Sequence, residues 1–138
     1  MRKIDYIFID SDREALDNKS GHYDVPGFQY HFVVNSEACV VNLIDIQYPV
    51  SLIQGPYYNR DKYNNCSISI RYCGFLEPGT WNFEQRKALI NLLVQLRLRY
   101  PDAKILGVRE INGKEIHARN IIVSDTMNLL RRELSELP

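Results

Sequence analysis

The sequence predicts an α/β fold: one domain with a central mixed β-sheet flanked by helices. Three observations carry this. Short runs that read as strands alternate along the chain with two long amphipathic patterns. Two of the strand-like runs are close enough to form a hairpin, so the sheet must contain an antiparallel pair. The chain has 138 residues, 45% hydrophobic and 25% charged, which suits one globular core. The whole length, 1–138, is therefore read as a single domain.

The elements follow in order. Ile4 and Tyr6 to Ile9 form a nearly continuous apolar run, as in a strand buried on both faces. Asp10 to Gly27 is polar and punctuated, with at most one short helical turn near its start. Gln29 to Val34, "QYHFVV", reads as a second strand, and Asn35-Ser36-Glu37 turns it back into "ACVVNLI". From Asp45 to Asn65 the chain reads as loop, with Pro49, Gly55 and Pro56. "SISIRY" then alternates strictly. Ile68, Ile70 and Tyr72 are assigned to a core face, and Ser67, Ser69 and Arg71 to a polar face.

After the turn signal "EPGT" comes the strongest helix. Asn82 is its expected N-cap, with Gln85 placed to complete a capping box. Leu89, Leu92, Leu93 and Leu96 recur at helical spacing, and Pro101 ends the helix at Tyr100. "AKILGV" is the next strand. A polar loop leads to a last helix, expected to start near Ser124 or Asp125, with Met127, Leu130, Leu134 and Leu137 on one side.

Composition narrows the function classes. Lys and Arg number 17, as do Asp and Glu, so no basic excess points to nucleic acid. No apolar run is long enough for a signal-peptide core or a membrane span, so the chain reads as cytoplasmic. Cys39, Cys66 and Cys73 lack paired spacing and read as free thiols. Nine tyrosines are more informative. Tyr23, Tyr30, Tyr48, Tyr57, Tyr58 and Tyr63 crowd the first half, where loop aromatics either line a glycan or peptide groove or cap local cores.

Four segments, in order, resemble the type 2 N-acetylmuramoyl-L-alanine amidases, a superfamily that includes phage lysozyme-type amidases and peptidoglycan recognition proteins. "YIFIDSD" stands where that family has a strand ending I-H-[CHS]-[ST]. "QYHFVV" is similar to G-Y-H-[FY]-x-[IV], and "SISIRYCG" to S-I-G-I-x-[YN]-x-G. "NFEQRKALINLLVQLRLRYPDAKILGVRE" is similar to T-x-x-Q, a Leu-rich helix, Y-P, a strand and G-H-R-[DE].

The resemblance implies a zinc site with three protein ligands and an open position for the nucleophilic water. Carried over, the first ligand position holds Asp10 and the second holds Val108, which has no lone pair. The third falls between Glu115 and Ile122, matched best by Asn120; no cysteine follows Cys73. The family's groove tyrosine is retained as Tyr30.

The expectation is a catalytically inactive amidase-like domain without a metal cofactor, its remnant positions being Asp10, Tyr30, Val108 and Asn120. It would bind peptidoglycan or a muramyl peptide through Asp10, Tyr30, Arg71, Arg109 and His117. Two alternatives stand beside it. One is a divergent amidase whose metal is held by Asp10 and His117, with Glu110 or Glu115. The other is a protein-interaction module. His117 also has a plainer reading as a solvated loop residue, and His31 is read as structural because alternation turns it away from Tyr30. Family habit would place such a short chain in a phage or mobile element.

Overall fold

The computed structural model describes residues 2–11, 30–50, 60–74, 82–107 and 118–137, with the side chains of 60, 61 and 118–125 left out. Among the described residues there are five strands and three helices: β1 (Tyr6–Ser11), β2 (Phe32–Val34), β3 (Val40–Asn42), α1 (Arg60–Asn65), β4 (Ser67–Tyr72), α2 (Phe83–Arg99), β5 (Lys104–Gly107) and α3 (Ala118–Ser135). The strands form one mixed sheet in the order β3-β2-β4-β1-β5. Among the described residues only β2 and β3 pair antiparallel; β1 lies parallel to β4 and β5, and β2 parallel to β4. The mixed sheet with flanking helices is the architecture expected from the alternation of patterns.

β1 is flanked on both sides, and this explains its apolar run: Ile7 and Phe8 are fully buried and Ile9 nearly so. Ile7 and Ile9 join Ile68, Ile70, Tyr72 and Val34 on one face. There they meet Leu89, Leu92, Leu93 and Leu96 of α2 and Met127, Leu130 and Leu134 of α3. Alternation sends Tyr6 and Phe8 to the other face, where Tyr63 of α1 stands edge-on to both, at 5.3 and 6.0 Å between ring centroids.

The hairpin forms as expected, in the register Val34↔Val40 and Phe32↔Asn42. Asn35 Oδ1 accepts the Glu37 and Cys39 amides, and Ala38 takes a left-handed φ of 64° to close the turn. β3 is an edge strand whose Val40 and Val41 are both exposed.

Several expectations are corrected. Ser67 and Ser69 were assigned to a polar face, yet both are fully buried, because the second face of the sheet is covered too. The segment read as loop up to Asn65 ends in the helix α1, too short to leave a periodic signal. β2 starts at Phe32 rather than Gln29. α3 starts at Ala118, ahead of the Ser124/Asp125 cap signal, and Leu137 lies beyond its end and is exposed.

The N-cap is found: Asn82 Oδ1 accepts the Gln85 amide at 3.0 Å. The capping box is not completed. The buried Gln85 side chain instead donates through Nε2 to Val34 O (3.2 Å) and Cys73 O (2.8 Å), tying the ends of β2 and β4 to the helix. Gly74 permits that approach, because a Cβ there would lie 3.1 Å from Gln85 Oε1.

Candidate functional site

The register of the parallel strands sets Asp10 of β1 beside Arg71 of β4, although 61 residues separate them. Both point to the face opposite α2 and α3, near the carboxyl ends of their strands. The chain leaves β1 for β2 on one side and β4 for β5 on the other, and open α/β sheets hold their sites where such connections diverge. Tyr30, just ahead of β2, completes the cluster. Its hydroxyl donates to Asp10 Oδ2 at 2.5 Å, and Arg71 Nη1 lies 3.4 Å from the same oxygen.

The electrostatics follow from this placement. Burial first, then the negative charge and hydrogen bond of Asp10, push the Tyr30 hydroxyl well above the ordinary phenol range. Tyr30 therefore keeps its proton and acts as a donor. The Asp10 side chain is 30% exposed and that of Arg71 12%, so the ion pair sits at the margin of the core with the carboxylate as its open side. The lateral row continues from Arg71 to Val33 and then to Val41 at the sheet edge, so the polar pair passes into an aliphatic strip.

His31 belongs to a different network. The Ser69 amide donates to its Nδ1 (3.0 Å), which leaves the ring proton on Nε2 to reach Tyr48 O (2.7 Å). Arg2 Nη2 stands 3.0 Å from the same Nε2 and donates to Ser67 O at 2.6 Å. Its positive charge opposes a second ring proton. Burial is the larger effect, and the ring pKa falls to about 4 despite the opposing pull of the Tyr48 carbonyl and Asp45.

This has a measurable consequence. The unfolded ring has a pKa of about 6.5, so between that value and about 4 the unfolded chain binds a proton that the fold refuses. The stabilisation is whole above about pH 6.5 and is lost as pH falls towards 4. Urea unfolding at pH 7 and at pH 4.5 is expected to differ by about 2 kcal/mol from this group, a slope that His31→Gln removes. An NMR titration midpoint for His31 near 6.5 would contradict it.

The other expected site residues divide plainly. Val108, Arg109 and His117 lie outside the described residues, as do Glu110 and Glu115. Asn120 falls in the first turn of α3 rather than in a loop, and its side chain is not described. Among the tyrosines, Tyr48 is exposed, Tyr63 packs on Phe8, and Tyr23, Tyr57 and Tyr58 lie outside the described residues. Among the described residues no three His, Cys, Asp or Glu side chains are grouped to hold a metal, and no helix is long and apolar enough to cross a membrane. Sequence reading missed Arg2 altogether, since nothing near it in sequence marks a side chain that reaches residues 31, 46, 65 and 67.

The guanidinium of Arg71 puts a positive charge 3.4 Å from the Asp10 oxygen. A metal at Asp10 would have to displace an existing cation rather than fill a gap.

No protein-family model matches the chain, and no curated protein matches it. Among solved structures it is similar to AmpDH3 from Pseudomonas aeruginosa in complex with anhydromuramic pentapeptide, with a TM-score of 0.50 and 15% identity over 78% of the chain. At that identity the likeness shows the fold alone, and the fold is amidase-like. The chain spans about half the length of that structure, 51%.

Proposed function

We propose that this domain binds a peptidoglycan fragment, a muramyl peptide, and does not cleave it. The observation that carries the reading is the Tyr30–Asp10–Arg71 cluster: at the position where the resemblance implies a first metal ligand, the carboxylate is engaged by an internal cation and a phenol. A group so held suits recognition, because its orientation is fixed before any ligand arrives. It does not suit water activation, which needs a metal with an open position or a free base. The fold shared with a protein crystallised with anhydromuramic pentapeptide supports the ligand class.

A calorimetric titration with anhydromuramic pentapeptide, EDTA present throughout, tests this. Saturable binding without release of product is expected, unchanged when zinc replaces EDTA. Absence of heat up to millimolar ligand overturns the reading, and zinc-dependent turnover would establish the divergent amidase instead. The exposed Val40 and Val41 on the β3 edge favour the protein-interaction module as second reading, which a null titration would leave standing.

A further inference from the structure

The two donors that hold Asp10 converge on one oxygen. Tyr30 Oη and Arg71 Nη1 both approach Oδ2, whereas no described residue donates to Oδ1. The Asp10 side chain is partly exposed, so this second acceptor is fixed in direction and takes no donor among the described residues. Resting on the binding reading above, we propose that Asp10 Oδ1 is a specificity determinant that accepts a hydrogen bond from an N–H group of the ligand. An anion is disfavoured there, since it would meet a carboxylate, and the neighbouring cation Arg71 is only 12% exposed.

Chemistry inverts this group in one step. In Asp10→Asn the two convergent donors still require an acceptor at the inner position, so the amide oxygen must take it. The –NH2 then faces outward, and the open position changes from acceptor to donor with no change of shape. A ligand N–H arriving there would meet another N–H.

The experiment titrates wild type and D10N with anhydromuramic pentapeptide, each checked by thermal melting. D10N is expected to bind roughly tenfold more weakly or worse, the effect of two donors facing each other with no acceptor. In the wild type, the Asp10 13Cγ resonance is expected to shift on saturation, a readout that needs no variant to fold. Equal affinity in D10N, or an unmoved Asp10 resonance in a protein that binds, overturns the assignment of Oδ1 and leaves the binding reading intact. No binding by the wild type overturns both. Acetylating free amines of the pentapeptide separates the two sources of the N–H: a weakened complex assigns the bond to an ammonium, an unchanged one to a backbone amide.

Discussion

Arg2→Met is expected to destabilise the fold by about 3 kcal/mol, the lower end for several charge-assisted hydrogen bonds lost together. The guanidinium donates through Nε to Ile46 O (2.8 Å), through Nη1 to Asn65 O (3.1 Å) and through Nη2 to Ser67 O (2.6 Å). Those carbonyls belong to three separate segments: the turn region after β3, the end of α1 and the start of β4. Burial lowers the Arg2 pKa, a sign that holding the charge here has a cost, and this keeps the net effect well below the gross sum of the bonds. Methionine preserves the stem packing, so the loss reports the head group. Thermal melting should fall by roughly 10 °C, with Arg2→Lys recovering only part, because an ammonium cannot reproduce the planar fork. A melting temperature within two degrees of wild type would refute the clamp.

The second large effect is expected at Arg71. Arg71→Met removes the cation that faces Asp10 and leaves the carboxylate with Tyr30 alone. For a partly exposed pair, the destabilisation is about 2 kcal/mol, below the range for fully buried pairs. Binding should suffer more than folding. Asp10 is then free to swing about its Tyr30 contact, so anhydromuramic pentapeptide affinity is expected to fall more than tenfold. Calorimetry on the folded variant checks this. An R71M protein that binds like wild type would show that Arg71 serves the fold and not the site.

The two predictions differ in how visible their residues are in the sequence. Arg71 is legible because "SISIRY" alternates, and a strand period places it on one face with Ser67 and Ser69. Its partner is not legible. That Asp10 lies directly across from Arg71 depends on β1 pairing parallel to β4 in one register, and a shift by one residue would send either side chain to the other face. Arg2 is legible in no respect, since its partners are carbonyls, and every residue carries one.

The helices show the same boundary. Asn82, the leucine spacing and Pro101 fix α2 almost to the residue, because caps, period and proline act within a few positions of themselves. Gln85 occupies the capping-box position and still bonds elsewhere, since the strand ends offered buried carbonyls that only the fold brings within reach. α3 starts at Ala118, ahead of its best cap signal, so the local cap preference does not set its first residue.

By itself, then, the sequence determined the elements with a period, the hairpin and the α/β class. Tertiary structure alone decided the strand order, the burial of Ser67 and Ser69, the Arg2 clamp and the meeting of Asp10, Tyr30 and Arg71. Periodicity says which side of an element is apolar, a property of neighbouring residues. What covers a face, and which distant backbone a side chain reaches, depends on pairings between segments far apart in the chain, and no local spacing encodes those.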